Sequence, residues 1–171
     1  DTAAGGVFDS AGYVDVNDNI GKDGTTLYLS FLTALDNTST DGLDQNFMQF
    51  RDGTTSQYWI GQTWQNSNLR AQGTVLQPLD TATHMVVMKI EYAAGNDAVS
   101  LWWDPDIDLP EGSQAAPIVK TRSMEFDNVF FKTQGTNHFV FDELRLGTNW
   151  DVVTAPEPAT LALLALTCLT L

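Results

Sequence analysis

A chain of 171 residues, 43% of them hydrophobic, can bury one core and is too short for two unless both are small. Eight basic residues against 22 acidic ones give a formal charge of −14, and a mean field of that sign repels phosphate backbones and argues against nucleic acid as a partner. Eleven percent aromatic residues and 13 glycines, with many Thr, Asn and Asp residues, favour strands joined by turns, so the expected class is all-β.

Along the chain, the start at Asp1 has neither a methionine nor a basic, apolar leader, so any signal peptide is expected to be removed or to lie upstream. The first clear strand covers residues 25–33. Successive side chains of a strand point to opposite sides, so Leu27, Leu29 and Phe31 share one face while Tyr28 and Ser30 share the other. Further strands are predicted at 46–51, 57–61, 84–92, 98–104, 124–132 and 137–146, each bounded by Gly, Asn, Asp or Pro. Residues 93–97, Ala-Ala-Gly-Asn-Asp, tolerate positive φ and should close a hairpin, with Val86, Met88 and Ile90 facing the same core as Val99, Leu101 and Trp103. The stretch 104–114, with Pro105 and Pro110, reads as a long irregular loop. No segment before the tail sustains a helical period, and strands do not alternate with helices. An antiparallel β-sandwich or jelly roll follows, over residues 1–154, with its first strands expected to lie upstream of Asp1.

At Ala155 the composition changes abruptly to PEPATLALLALTCLTL. Residues 160–171 supply roughly 12 apolar-leaning positions, where a bilayer span needs about 20. The single cysteine, Cys168, lies in this tail, so no disulfide forms within the domain. Pro156, Glu157 and Pro158, followed by a stretch of good helix formers at the chain end, resemble the PEP-CTERM sorting signal of exopolysaccharide-producing Gram-negative and related bacteria. The basic end of that signal has no counterpart after Arg145, so residues 155–171 correspond to a truncated or diverged signal. The resemblance implies export, transient inner-membrane contact through a short apolar C-terminal helix, processing by an exosortase-type partner, and a final place at the cell surface or in the extracellular matrix. The blocks GTTLYLSFL, YWIGQTW, THMVVMKIEYAAGNDAVSLWWDPD and VFDELRLGTNWDVVTAPEP are similar to laminin-G-like, concanavalin-A-like jelly rolls often found ahead of such tails. That resemblance implies a fold, and a glycan or protein ligand, more than a chemistry.

Sugar binding on a jelly roll uses exposed aromatic rings beside amide and carboxylate groups. Tyr28 and Trp102 fall on the face opposite the core residues, and Trp64 is followed by Gln65, Asn66 and Asn68; Tyr28, Trp64, Asn66 and Trp102 are therefore the candidate ligand residues, with a polysaccharide as ligand, set against plain packing for each ring. Asp104, Asp106 and Asp108, with Glu111, present oxygen ligands in alternation without the glycine turn of an EF-hand, so calcium is weighed against a solvated loop and no other cofactor is expected. Residues 124–130, Met-Glu-Phe-Asp-Asn-Val-Phe, are similar to the E-x-D-x-x-E strand of family 16 glycoside hydrolases, and period two places Glu125 and Asp127 on one face. Phe130 stands where the acid/base carboxylate belongs, so the leading expectation is a non-catalytic module, with a glycoside hydrolase as the alternative. His84 and His138 each precede or begin a strand far apart in sequence and suggest no shared metal site.

Overall fold

The computed structural model describes residues 12–38, 44–63 and 67–155. These residues form ten strands: β1 (Thr26–Leu35), β2 (Gln45–Asp52), β3 (Thr55–Thr63), β4 (Asn68–Ala71), β5 (Thr74–Pro78), β6 (His84–Glu91), β7 (Asp97–Trp103), β8 (Ile118–Arg122), β9 (Asn128–Lys132) and β10 (Phe139–Gly147). A 3-10 turn at Glu111–Ser113 and a short helix, α1 (Trp150–Thr154), complete the elements. The strands build two five-stranded antiparallel sheets, ordered β10-β1-β6-β7-β8 and β5-β4-β3-β2-β9, packed as a sandwich.

The core follows the alternation read from the sequence. Leu27, Leu29 and Phe31 of β1, Val86, Met88 and Ile90 of β6, and Val99 and Leu101 of β7 meet Met48 and Phe50 of β2 and Tyr58 and Ile60 of β3. The β6–β7 hairpin has the expected register, Val86 opposite Trp103, Met88 opposite Leu101 and Ile90 opposite Val99, and Gly95 in its turn takes a φ of 101°. Where alternation turns polar residues inward, they find one another. Asn137 Nδ2 donates to Gln62 Oε1 at 2.9 Å and Thr133 Oγ1 to Asn46 Oδ1 at 2.7 Å, so buried amides at this end of the sandwich are satisfied rather than stranded.

Three strands escaped the sequence reading. Strands β4 and β5 are short and meet across Gln72 and Gly73, and β8 is an edge strand whose later residues, Lys120, Thr121 and Arg122, lack apolar alternation. The strand expected at 124–132 is shorter than its pattern: only Asn128–Lys132 pairs with β2. Residues 124–127 instead serve the opposite end of the sandwich. Met124 N donates to the buried Asp97 carboxylate at 2.7 Å, and Phe126 bridges Ile20.

The outer face of the first sheet is covered around Tyr28, Val87 and Trp102. Helix α1 starts at Asn149, whose side chain accepts from Val152 N at 3.1 Å, and it lays Trp150 and Val153 on Tyr28, Val87 and Trp102. Trp150 meets Trp102 edge to face, with ring centroids 5.2 Å apart, and Ser30 Oγ donates to Val153 O at 2.6 Å.

Candidate ligand-binding face

Tyr28 and Trp102 do lie on the non-core side of the first sheet, but neither is an open platform: each is 7% exposed. Trp102 sits beneath Trp150, and its Nε1 donates to Ala115 O at 3.1 Å. The Tyr28 hydroxyl donates to Glu111 Oε2 at 2.7 Å, and burial together with the neighbouring Glu111 carboxylate pushes its pKa up to about 12. The expectation of exposed rings is corrected here because a five-residue helix and the loop after β7 use this face as a secondary core, an event without a periodic signal in sequence.

The acidic side chains of the loop after β7 do not converge either. Among the described residues no group of three or more His, Cys, Asp or Glu side chains is placed to hold a metal ion. Asp104 is committed to His84 Nδ1 at 2.6 Å and to Met85 N at 2.9 Å, while an Asp106 carboxylate oxygen accepts from Asp108 N at 3.1 Å to make a local turn. Alternation along an irregular loop sets no common face for Asp104, Asp106 and Asp108. His84, at 7% exposure, also reaches Asp80 at 2.8 Å. Burial of its ring opposes the charge, yet the hydrogen bonds and charges of Asp80 and Asp104 prevail and hold its pKa above the ordinary imidazole value. His138 pairs separately with Asp36 at 2.8 Å.

Glu125 and Asp127 part company. Glu125 lines a recess of about 460 Å³ with Asp15, Gly21 and Asp23, where desolvation and then the charges of Asp15, Asp97, Asp23 and Asp52 raise its pKa. Asp127 Oδ1 instead accepts from Gly53 N at 3.0 Å in the β2–β3 turn. Trp64, Asn66, Pro156, Glu157 and Pro158 lie outside the described residues.

The second sheet offers what the first does not. With Met48 and Phe50 of β2, Tyr58 and Ile60 of β3, Leu69 and Ala71 of β4, and Val129 of β9 turned inward, alternation turns Gln45, Phe47, Gln49, Arg51, Trp59, Gly61, Arg70, Asn128, Phe130 and Lys132 outward. Register then sets them in rows. One row runs Phe130, Gln49, Trp59, and the next runs Lys132, Phe47, Gly61, Arg70. At about 4.8 Å between strands, the second row is roughly 14 Å long.

Within this lattice the Arg51 guanidinium lies 3.5 Å over the Phe130 ring and donates twice to Gln49 Oε1, at 2.8 and 2.6 Å. The Lys132 ammonium lies 5.9 Å from the Phe47 ring centre and bonds Gln45 Oε1. Gly61 has a φ of 145°, and a Cβ there would stand 2.1 Å from Asn46 O and 2.6 Å from Phe47 Cα; glycine is what lets β3 approach β2 in the middle of the face. Gln49, Arg51, Trp59, Arg70, Phe130 and Lys132 are all partly exposed, and α1 packs on β1 and β10, away from them. The sequence reading passed over these residues, although YWIGQTW and the alternating QNFMQFRD carried the signal: aromatic, amide and basic side chains every second position.

No protein-family profile matches the chain, and no curated protein does. A solved structure, the endo-β-1,4-glucuronan lyase of the fungus Trichoderma reesei, is similar with a TM-score of 0.43 at 16% identity, over 79% of this chain and 74% of that one. At that level it bears on no residue of the face.

Proposed function

We propose that the protein is an exported, non-catalytic glycan-binding module, which holds a polysaccharide on the outer face of its second sheet. The observation that carries this reading is the row of Phe130, Gln49 and Trp59: an indole able to stack on a sugar C–H face, beside an amide able to bond hydroxyls and a Phe130 ring that carries the Arg51 guanidinium, on a partly exposed surface. The Pro156-Glu157-Pro158 step supports a route through an exosortase-type enzyme, with transient inner-membrane contact, to the cell surface or extracellular matrix. Titration of the protein against a panel of polysaccharides tests the binding. Wild type should bind at least one, and Trp59→Ala should weaken that binding about tenfold or more with its melting temperature retained; no binding by the wild type, or undiminished binding by the variant, defeats the reading.

A glycoside hydrolase is the second reading, favoured by Glu125, whose raised pKa in an acidic recess is the property of a proton donor. Hydrolysis of β-glucans abolished by Glu125→Gln would establish it. The separate engagements of Glu125 and Asp127 favour the binding module.

A further inference from the structure

On the glycan-binding reading, we infer that the polysaccharide taken by the second sheet is anionic, a chain bearing uronate carboxylates. The chain has only eight basic residues among 22 acidic ones, so each cation has carboxylates in excess to choose from. Lys89 chooses Glu91 and Glu111, and Arg145 chooses Glu143. Arg51, Arg70 and Lys132 of the partly exposed second face form no ion pair among the described residues, as Lys22, Lys120 and Arg122 elsewhere do not, and what marks the three is that they share one sheet face and direct their hydrogen bonds to neutral oxygens, those of Gln49, Gly73 and Gln45.

No Asp or Glu occupies an outward position of β2, β3, β4 or β9, so the face is positive on a chain that is negative elsewhere. Stacking on Phe130 holds the Arg51 plane in place and leaves it edge-on to an amide oxygen that a carboxylate can replace with a stronger, charge-assisted pair. Among the described residues the buried Arg70 Nε, like that of Arg122 on the first sheet, has no hydrogen-bond partner. Lys132 and Arg70 sit at the two ends of one cross-strand row, on either side of Phe47 and Gly61, which suits charges repeated along a polymer rather than a single anion. The overall charge of −14 does not forbid this, because at physiological ionic strength fields decay over about 8 Å and the local cations dominate.

The test is calorimetric titration of the full chain with a polyuronate, with the same polymer after carboxyl reduction to its neutral form, and with duplex DNA. The polyuronate should bind at least tenfold more tightly than its reduced form, weaken as salt is raised, and lose about tenfold on Lys132→Gln and again on Arg51→Gln. Should Arg51→Gln melt early, Arg70→Gln carries the second arm. Equal binding of charged and reduced polymers overturns the inference while leaving glycan binding intact. Binding of neither form defeats both, and DNA binding as tight as polyuronate binding overturns the inference in favour of unspecific attraction to polyanions.

Discussion

Replacing Trp150 by alanine tests whether the first sheet's outer face is a second core. Trp150 is 4% exposed, stacks edge to face on Trp102 and sits in a cluster with Tyr28, Val87 and Val153. Truncation of a buried Trp costs about 3–5 kcal/mol where the gap cannot collapse. Here the five-residue α1 cannot hold itself as an isolated helix, so it can peel away and carry with it the Ser30–Val153 hydrogen bond, worth about 1 kcal/mol. Peeling caps the loss, and Trp150→Ala should cost about 3 kcal/mol. Trp150→Phe is the control: it keeps a ring and deletes a buried indole N–H that has no partner among the described residues, so it should cost less than about 1 kcal/mol. Urea denaturation followed by circular dichroism reads both numbers, and amide exchange at Val152 and Ala155 reads the undocking. A loss below about 1 kcal/mol for the alanine variant, with these amides still protected, would refute the idea that α1 closes this face.

Other sites give equally definite expectations. His84, held above its ordinary pKa of 6.5 by Asp80 and Asp104, stabilises the fold fully below about pH 6.5 and loses that contribution as pH rises through its folded value; melting temperature should decline over that window, and His84→Gln should flatten the decline. Gly61→Ala places a Cβ against Asn46 O and Phe47 at a φ of 145°, and should cost at least about 2 kcal/mol by chemical denaturation. Asp97→Ala leaves Ala93 N and Met124 N without their acceptor, for a loss of about 2–4 kcal/mol in the same assay, with Asp97→Asn recovering part of it.

The inner faces of both sheets were legible because burial on one side imposes a strict period of two: Leu27, Leu29 and Phe31, and the Val86, Met88, Ile90 set with its partners, follow directly from it. The outer faces were not legible by the same means. A position opposite the core is coded only as "not core", and whether it meets water, a helix or a ligand depends on segments elsewhere in the chain. Tyr28 and Trp102 had the right side and the wrong neighbour, because Trp150 arrives from more than forty residues beyond Trp102. The acidic side chains of 104–108 do not converge among the described residues for a related reason: an irregular loop has no period, so spacing says nothing about convergence, and Asp104 is bonded to His84.

The two outer faces of the sandwich differ in how they treat their aromatic rings. On the first sheet, Trp102 and Tyr28 are capped, and their polar atoms are spent on Ala115 O and Glu111. On the second, Trp59 and Phe130 keep part of their surface, and among the described residues the side chains beside them, Gln49, Arg51 and Lys132, bond with one another or with Gln45. Those side-chain bonds lie on the surface and between groups that keep spare donors, so a ligand exchanges them at little cost, whereas a ligand for Tyr28 or Trp102 would first have to displace α1 and a buried core. On the proposed reading a ligand gains contacts on the second face without unfolding anything, and that asymmetry is why Trp59→Ala should disturb ligand affinity and spare stability, while Trp150→Ala should do the reverse.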